Sequence, residues 1–582
     1  MTAYDTDVLI IGTGPTGSAA ALALATYGVR AHAVTRYNWV ANTPRAHITN
    51  QRALEVLRDL GIEDEAAKYA TPWEKMGETP FTTSLAGEEI VRLPSMGGGE
   101  DRHTDYVTAS PCPFMDLPQS LLEPILIKHA AARGATFGFN TEYLRHEQDD
   151  DGVTAYFRDV RTDREYSMRA RYLIGADGAR STIVEELGLP LEGKMARAAT
   201  AYVLFHADLS RYVEHRPSII YWSITPSANF GEIGMGLLRA IRPWDTWIAG
   251  WGFDMNAGDP DFSTEAIAAR IRTLVGDPDV EIDIESTSTW YVNQAHATQY
   301  SKGRVFCGGD AVHRHPPSNG LGSNTSIQDA FNLAWKLAFV IKGYAGEELL
   351  ESYSDERVPV GEQIVARANQ SRLEYAPLRD CFSTSGHADP VAAMLAKLRD
   401  PSPEGVQVRD ELVRALELKN YEFNANGVEL NQRYASGAVL PDPTMGPEVF
   451  ERDPELFLAA TTRPGAKIPH AWLTDKHGHR MSTLDVVGKG GFSLVTGLAG
   501  QAWVRGAEKL DLPFLRTVVI GARGVQDIYF TWARLREIHE AGAILVRPDG
   551  YIAWRQPAAI WDESDALTQL RQAISTVLLA DY

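Results

Sequence analysis

Three stretches of the chain share one pattern, in which a short apolar run is followed by a glycine-rich turn and an apolar helical repeat. The first is DVLIIGTGPTGSAAALALATYGV, whose run at 7–11 has the character of a buried parallel strand. The second is ARYLIGADGARSTIVEELG, with a predicted strand at 172–175. The third is GRVFCGGDAVHRHPPSNGLGSNTSIQDAFNLAWKLAFV, with a predicted strand at 305–307. The pattern predicts three strand–turn–helix units.

The first turn has the G-x-G-x-x-G spacing at Gly12, Gly14 and Gly17. The first glycine allows a tight turn, the second lets the backbone approach a pyrophosphate, and the third lets the helix pack closely on the strand. Between a strand and a helix, this spacing favours dinucleotide binding over a plain turn. The next strand along the chain, in VRAHAVTRYN, should end in an acid that holds a ribose, but Thr35 and Arg36 stand there. A hydroxyl and a guanidinium can still bind a ribose or a phosphate.

The third turn contains His313 and His315, which raise the question of a metal site. A third ligand at a suitable spacing is missing, and two prolines and an Asn-Gly pair follow, which indicate a rigid turn. The loop ends at Ser323 and Asn324, which are good helix N-cap residues. We therefore predict no metal, and expect backbone amides at the start of the next helix to form an anion pocket.

Residues 200–255 alternate between apolar and polar positions with a period of two, which predicts strands with one buried face. The run is rich in aromatic side chains. Most of these would belong to an ordinary core, but one face of the sheet could cover an aromatic pocket. The predicted walls of that pocket are Tyr221, Trp222, Met235 and Pro316.

From about residue 464 the pattern changes to strand, helix, strand, a helix from Asp527, and a hairpin at 548–550. This order is similar to a thioredoxin-like fold. The region contains no cysteine, because the chain has only Cys112, Cys307 and Cys381. It therefore cannot act as a dithiol catalyst, and we expect a structural role or a role in forming a homodimer or a higher homo-oligomer.

Composition excludes several classes of protein. A chain of 582 residues should form two or three domains. Its net charge of -20 argues against nucleic acid as a partner, since no basic block is present. No apolar run reaches the length of about 18 residues that spans a bilayer, and no signal peptide is recognisable. We expect a cytoplasmic protein that acts on a small molecule.

Together, GxGxxG, the mid-chain ADG and GRVFCGGDAVHRHPP resemble the class A FAD-dependent aromatic monooxygenases. PRAHITNQRALEVLRDLGI and HRPSIIYW are similar to the phenol hydroxylase and 2,4-dichlorophenol 6-monooxygenase type. The resemblance covers essentially the whole chain and implies FAD as cofactor. The residues implied or expected to contact it are Gly12, Gly14, Thr16, Gly17, Thr35, Arg36, Arg45, Gln119, Asp177, Asp310, Pro317, Gly320, Gly322, Ser323 and Asn324.

The resemblance also implies a fold of the α/β and α+β classes. A Rossmann-like FAD domain of the glutathione-reductase type, similar to p-hydroxybenzoate hydroxylase, would span 1–190 and 290–375. A substrate-binding β-sheet domain would be inserted at 75–115 and 191–289. A helical linker at 376–440 would lead to a thioredoxin-like domain at 441–582.

The activity implied is hydroxylation of a phenol-like ring, ortho to its hydroxyl, by a C4a-hydroperoxyflavin formed with O₂ and NADPH or NADH. The nicotinamide would bind transiently, since no second GxGxxG unit is present. A phenolate reacts better than a phenol, whose pKa is about 10, so a base at the hydroxyl would help. His47 in PRAHITNQR stands where fungal phenol hydroxylases carry an acid, and is the predicted catalytic and substrate-binding residue.

Three alternatives remain at this point. The same chemistry could act on a hydroxypyridine or on a polyketide-derived ring in natural-product biosynthesis. The first GxGxxG could belong to an NAD-dependent dehydrogenase. The thioredoxin-like region could be an interaction module on a protein whose FAD is only structural.

Overall fold

The structure is a computed structural model that describes residues 4–41, 43–195, 198–225, 228, 230, 233–254, 260–383 and 387–582. Its strands, in chain order, are β1 (Thr6–Ile11), β2 (Ala31–Val34), β3 (Ile48–Thr49), β4 (Thr71–Pro72), β5 (Glu78–Thr82), β6 (Glu89–Pro94), β7 (Met115–Asp116), β8 (Thr136–Gly138), β9 (Thr141–Gln148), β10 (Val153–Asp159), β11 (Glu165–Gly175), β12 (Leu191–Lys194), β13 (Ala199–His206), β14 (Ile220–Ser223), β15 (Gly236–Arg242), β16 (Thr246–Phe253), β17 (Asp283–Tyr291), β18 (Gln294–Ala297), β19 (Ser301–Lys302), β20 (Val305–Cys307), β21 (His313–Arg314), β22 (Trp472–Thr474), β23 (Arg480–Ser482), β24 (Phe492–Gly497), β25 (Leu515–Ile520), β26 (Ala543–Val546) and β27 (Ile552–Gln556).

Helices connect and cover these strands. They are α1 (Pro15–Thr26), α2 (Gln51–Asp59), α3 (Glu63–Tyr69), α4 (Glu100–Ala109), α5 (Gln119–Ala132), α6 (Thr182–Leu187), α7 (Ser210–Val213), α8 (Thr264–Val275), α9 (Gly322–Ile341), α10 (Ser352–Leu373), α11 (Ala376–Phe382), α12 (Pro390–Arg399), α13 (Pro403–Leu418), α14 (Asn420–Phe423), α15 (Asn426–Leu430), α16 (Thr483–Val486), α17 (Gln501–Leu510), α18 (Thr531–Leu535) and α19 (Glu563–Leu578). In the part of the chain that the structure describes, none of them is both long enough and apolar enough to cross a bilayer.

The first sheet brings the three glycine turns together. Strands β20, β11, β1, β2 and β8 lie side by side in that order and run parallel. The apolar runs predicted at 7–11, 172–175 and 305–307 belong to three adjacent strands, β1, β11 and β20. Because the carboxyl ends of parallel strands meet at one edge, the turns that follow them converge there.

The second sheet has seven strands in the order β17-β13-β16-β15-β14-β5-β6. Strands β13 to β16 lie where the sequence predicted them, but the expectation of one buried face is wrong, because helices and the first domain bury both faces. One face packs against α8 through a cluster that includes Trp247 and Ile271. The other face carries Trp222 and Leu237 and faces the first sheet's glycine edge and α11.

The segment at 376–440, predicted as a linker, also packs on this second face. Leu378 and Phe382 of α11 and Leu412 of α13 share a cluster with Phe81 and Trp222 of the sheet. The Phe81 and Phe382 rings lie 6.4 Å apart between centroids. These helices therefore act as part of the wall of the sheet and not only as a connection.

The third large sheet lies near the C-terminus, with strand order β25-β24-β26-β27. Strands β24 and β25 are parallel, and β26 and β27 form an antiparallel hairpin around Pro548–Gly550. Helices α17 and α19 pack against each other. One prediction is wrong here: the helix expected from Asp527 is only the short α18, Thr531–Leu535, because residues 521–530 form turns.

A buried ionic cluster joins the C-terminal sheet to the first domain. Glu356 of α10 accepts hydrogen bonds from Arg547 at 2.5 and 2.8 Å and from Lys336 at 2.8 Å. Arg547 also contacts Asp549, and all four side chains are almost completely buried. Burial raises the pKa of Glu356, but Arg547 and Lys336 outweigh it, so the pKa lies well below its ordinary value.

We expect Glu356→Gln to lower the free energy of unfolding by about 3–5 kcal/mol, because the buried Lys336 loses its counter-ion and Arg547 keeps only Asp549. The measurement is the midpoint of urea or thermal unfolding. Glu147→Gln is the matched control, since Glu147 forms an exposed pair with Arg145 and such pairs contribute at most about 1 kcal/mol. Equal midpoints for the two variants would contradict the role of the cluster.

Candidate active site

In the first glycine turn, neighbouring backbone leaves no room for a side chain at two of the three glycines, whereas the third glycine faces open space. A Cβ on Gly12 would lie 2.1 Å from the Ala176 carbonyl oxygen, and one on Gly17 would lie 1.9 Å from the Gly12 oxygen. A Cβ on Gly14 would meet only the Glu123 carboxylate, at 3.8 Å. Gly14 is also the residue before α1, whose Pro15 starts the helix. The open space is therefore at the helix N-terminus, where a pyrophosphate is favoured.

The third turn packs directly on the first. A Cβ on Gly309 would lie 2.1 Å from Thr16 Oγ1, so Thr16 fixes the close approach of the two loops. The Gly309 N–H donates to Asp329 Oδ2 at 2.9 Å. Asp310, next in the chain, has an exposed side chain at the same edge. Its carboxylate is therefore available to a ligand, as the resemblance implies.

Asp177, in the second turn, holds the start of α6. Its Oδ2 accepts hydrogen bonds from the backbone N–H groups of Thr182, at 2.9 Å, and Ile183, at 3.3 Å. Its Oδ1 is buried without a partner, and burial raises its pKa. Among the described residues nothing satisfies that oxygen, which leaves it for a bound ligand or solvent.

His313 and His315, the two histidines of the third turn, pack and form hydrogen bonds within the protein. His313 is fully buried, and its Nε2 lies 2.9 Å from Asp329 Oδ2. His315 contacts the carbonyl of Pro316 through Nδ1 at 2.7 Å, and burial lowers its pKa to about 4. In the described ranges no group of three metal-binding side chains occurs.

The loop 316–324 ends earlier than the sequence predicted, and its last residues do not form the expected N-cap. Helix α9 begins at Gly322, so Ser323 and Asn324 lie inside it and do not cap it. Asn324 instead donates to the carbonyls of Ile48 and Gly320, and its Oδ1 accepts from the Asn50 N–H. The N-cap prediction is wrong because this side chain joins two loops. Of the other predicted members of this loop, Gly322 and Ser323 are half-buried, Pro317 is exposed and Pro316 is buried.

The residues predicted to contact the adenosine end of the cofactor differ in their exposure and in their partners. Thr35 is buried and Arg36 is exposed, with its guanidinium 2.9 Å from the Tyr37 hydroxyl. Gln119 donates to Glu123 Oε1 at 2.6 Å. Arg45 is exposed, and its carbonyl accepts from the Gln119 N–H. No signal in the sequence indicated Glu123, which lies beside the Gly14 turn.

His47 lies where the glycine edge meets the second sheet. Its Nδ1 is buried and has no hydrogen-bond partner among the described residues. Burial, and then the positive charge of Arg239, hold its pKa well below 6.5, and the Pro44 backbone only partly opposes this. This environment therefore favours the neutral form of the imidazole.

A buried ion pair stands beside His47, and sequence reasoning missed it. Arg239 of β15 donates to Asp116 Oδ1 of β7 at 2.5 Å. Burial raises the pKa of Asp116, an effect that Arg239 opposes. In the part of the chain that the structure describes, Asp116 Oδ2 and Arg239 Nε have no hydrogen-bond partner. The two residues are far apart in sequence, and neither belongs to a recognisable motif.

The predicted pocket walls separate onto two faces of the sheet. Trp222 and Met235 share the cluster on the face toward α11. Tyr221 lies on the opposite face, where its ring is 6.0 Å from that of Trp247 and its hydroxyl donates to the Arg216 carbonyl. The expectation that Tyr221 lines the same pocket as Trp222 is therefore wrong, because adjacent strand residues point to opposite faces.

Two family models match most of the chain. A model described as an FAD binding domain matches residues 5–368, and one described as the C-terminal part of an aromatic-ring hydroxylase matches residues 461–579. The first match agrees with the parallel sheet whose glycine turns converge at one edge. Together they identify an FAD-binding oxidoreductase. The chain belongs to the FAD-dependent aromatic-ring hydroxylases.

Individual relatives are similar over their full length. The chain is 49% identical to a 2,4-dichlorophenol 6-monooxygenase of Delftia acidovorans, covering 99% of both chains. It is 46% identical to a phenol 2-monooxygenase of a Pseudomonas species, over 97% of this chain and 92% of that one. Among solved structures, the flavin-dependent monooxygenase PieE in complex with FAD and substrate is 43% identical, with a TM-score of 0.94 over 99% of this chain and 100% of that one.

FAD fits the glycine edge of this structure. The space at Gly14, which a side chain would fill, suits the pyrophosphate, and the exposed carboxylate of Asp310 suits the hydroxyls of a ribityl chain. The orphaned Asp177 Oδ1 lies at the turn that follows the adjacent strand β11. These residues would hold the cofactor.

We expect Asp310→Ala to purify largely without flavin. A charge-assisted hydrogen bond that becomes buried on binding contributes about 1.5–3 kcal/mol, so its loss should weaken FAD affinity about tenfold to a hundredfold. Flavin content and a titration of the apoprotein with FAD measure this. Asp163→Ala, at an exposed position, is the control. Full flavin occupancy at unchanged affinity in Asp310→Ala would show that the carboxylate does not bind FAD.

Proposed function

We propose that this chain hydroxylates a phenol-like ring, ortho to its hydroxyl, with NADPH or NADH as transient reductant and O₂ as co-substrate. The observation that carries the proposal is the buried Nδ1 of His47, which has no hydrogen-bond partner among the described residues and lies beside the Arg239–Asp116 pair. The relatives named as dichlorophenol and phenol monooxygenases support the substrate class.

In this proposal His47 Nδ1 accepts the proton of the substrate hydroxyl. A phenol has a pKa of about 10, so a neutral imidazole only shares that proton until the reaction draws electron density from the ring. Arg239 stabilises the developing phenolate, because its guanidinium lies in a buried setting where charge is poorly screened. The flavin, when bound, supplies the oxygen atom from O₂.

Ile48 places this proton acceptor next to the cofactor loop. Its carbonyl accepts from Asn324, and its side chain lies 3.3 Å from where a Cβ on Gly320 would be. His47 itself is tied to the adjacent strand, since its carbonyl accepts from the Leu117 N–H at 2.7 Å. The substrate hydroxyl would therefore be held at the junction of the cofactor loop and the second sheet.

A second candidate is the same chemistry on a hydroxypyridine or a polyketide-derived ring. The polyketide alternative is favoured by a putative polyketide hydroxylase of Streptomyces halstedii that is 33% identical. The phenol and dichlorophenol relatives are closer in sequence at 46–49%, and this supports the phenol-like ring as the main proposal.

The domain assignment is part of the proposal. The first sheet with α1 and α9 would be the FAD domain, the seven-stranded sheet the substrate domain, and residues 441–582 a thioredoxin-like domain. The strand order β25-β24-β26-β27, with a parallel pair followed by a hairpin, supports the last of these. That this region also joins chains into a homo-oligomer stays a prediction.

We expect His47→Ala to bind FAD and to consume NADPH while hydroxylated product falls about 10²–10⁴-fold, the range for a lost general base. The consumed reducing equivalents should appear as hydrogen peroxide. Phenols with electron-withdrawing substituents ionise more easily, so they should be affected least. Product, NADPH and peroxide are measured together, with the exposed His477→Ala as control. Unchanged coupling on unsubstituted phenol would rule out the role of His47.

The pH dependence should follow the lowered pKa of His47. A neutral base stops working when it is protonated, so coupling should fall as the pH drops through the His47 pKa, which lies below the ordinary value of 6.5. Coupling in the wild type should therefore remain high at pH 6.5. A midpoint at or above pH 6.5 for the loss of coupling, with FAD retained, would contradict the assignment.

A further inference from the structure

Asp116 and Arg239 form a buried ion pair beside His47. The Arg239 guanidinium donates to Asp116 Oδ1 at 2.5 Å, and the two side chains are 8% and 0% exposed for Arg239 and Asp116. Within the described ranges, neither residue forms an ion pair with any other. The pair therefore brings one positive and one negative charge, and no net charge, to this part of the site.

The backbone fixes Asp116 beside His47. Strand β7, which carries Asp116, lies between β3 and β4 in a three-stranded sheet, and Asp116 is opposite Ile48 of β3. The N–H of Leu117, next in the chain, donates to the His47 carbonyl at 2.7 Å. The carboxylate and the imidazole are therefore carried by neighbouring, hydrogen-bonded segments.

The pair lies where the second sheet meets the cofactor edge. Arg239 is two residues after Leu237 on β15, so it shares the face on which Leu237 packs toward α11. Asp116 reaches this face from β7, the strand paired with the segment that directly follows His47. A ring whose hydroxyl lies at His47 would therefore place that hydroxyl, or a neighbouring substituent, against the pair.

Arg239 acts on three titratable groups, of which only Asp116 supplies a negative charge. Arg239 lowers the pKa of His47, whose environment favours the neutral imidazole. Burial raises the pKa of Tyr202, and Arg239 opposes this only in part, so the phenol group stays protonated. Burial also raises the pKa of Asp116, which Arg239 opposes through the hydrogen bond. Of these three groups, Asp116 is the counter-ion of Arg239.

An ion pair in this position discriminates between neutral and anionic ring substituents. A carboxylate placed against Arg239 would also lie near Asp116, and like charges repel strongly where water does not screen them. It would in addition lose its hydration without meeting any net positive charge. A protonated phenol meets neither penalty, since its hydroxyl can accept from Arg239 and donate to His47.

We propose that Asp116 is a specificity-determining residue, which neutralises Arg239 so that the site accepts uncharged phenols, with or without halogens, and excludes rings that carry a carboxylate. Without Asp116, the guanidinium would be suited to bind a carboxylate, because its N–H groups match carboxylate geometry. This inference rests on the proposed function and specifies the charge of its substrate class.

The test compares Asp116→Asn with the wild type, both as FAD-loaded protein. Asparagine keeps a similar shape and removes the negative charge. Asp149→Asn is the matched control, because Asp149 also pairs with an arginine, Arg169, but lies at the surface. The probes are the three hydroxybenzoate isomers and the three hydroxybenzamide isomers, which have similar shapes and differ in charge. Binding is measured from the change in flavin absorbance, without turnover.

In the wild type, the hydroxybenzamide that binds most tightly should exceed the matching hydroxybenzoate in affinity by about tenfold or more. Asp116→Asn should raise the affinity for at least one hydroxybenzoate by about tenfold or more, because Arg239 then lacks a counter-ion, and should change the amide affinities much less. Asp149→Asn should keep wild-type affinities for both. The double variant Asp116→Asn/Arg239→Gln should lose the gain, since it carries neither charge. A change of packing alone would alter amide and carboxylate alike.

Asp116→Asn leaves Arg239 as a buried cation without a counter-ion and can lose stability for this reason. Flavin content and the thermal midpoint are therefore measured first, and the wild type provides an independent comparison. A hydroxybenzoate that binds the wild type as tightly as its amide would overturn the proposal, whatever the variants do. An Asp116→Asn protein that holds FAD but gains no affinity for any hydroxybenzoate would overturn it as well.

Failure of the proposed function would have a different signature. If no phenol, hydroxybenzamide or hydroxypyridine alters the flavin spectrum of the wild type or stimulates NADPH oxidation, the proposed function itself is wrong. If phenols do both and hydroxybenzoates do so equally well, the proposed function stands and the role of Asp116 is wrong.

Discussion

The buried carboxylate of Asp329 is the contact on which the cofactor edge depends. Its Oδ2 accepts from the Gly309 N–H and lies 2.9 Å from His313 Nε2, and its Oδ1 accepts from Arg357 at 2.7 Å. Burial alone would raise the pKa of Asp329, but Arg357 and His313 bring it below the ordinary value. A buried charge is tolerated only with such partners, so the GGD turn, the paired histidine and α10 have one mutually consistent arrangement. Asp329, which fixes this turn, lies about twenty residues after the GGD motif and is not part of it.

The same chain of contacts continues to the C-terminal region, which argues against that region as a dispensable module. Arg357 donates to the Tyr434 hydroxyl at 2.9 Å, and the Tyr434 ring stacks on Tyr551 of the C-terminal hairpin at 4.0 Å. Apolar packing accompanies it, since Trp335 of α9 lies 5.8 Å from Phe492 of β24. A region without cysteines can thus influence a flavin site mechanically, by holding α9 and α10, the helices that carry Asp329 and Arg357.

Local patterns predicted the strands and turns well and the contacts between them poorly. The glycine turns and the adjacent buried strands depend on neighbouring residues, and the structure has them. The single buried face expected at 200–255 failed because packing covers both faces of that sheet. The N-cap expected at Asn324 failed because the distant N–H of Asn50 takes the side-chain oxygen that would cap the helix. Tyr221 and Trp222 could have been separated from the sequence, since a period of two cannot place neighbours on one face. The Arg239–Asp116 pair could not, because its partners are joined only by the packing of β7 against the second sheet.

The buried charges of this protein fall into two kinds, and the difference indicates where ligands bind. Each oxygen of Glu356 accepts at least two hydrogen bonds from its neighbours, so nothing is left for a ligand. Asp116 and Arg239 form one hydrogen bond with each other. Within the described ranges each keeps one buried atom without a partner, and so does His47 beside them. Leaving such atoms unsatisfied costs about 1–3 kcal/mol apiece in the free protein. A substrate that supplies the missing partners recovers that cost on binding, so affinity for a polar ring is built into the fold before the ring arrives.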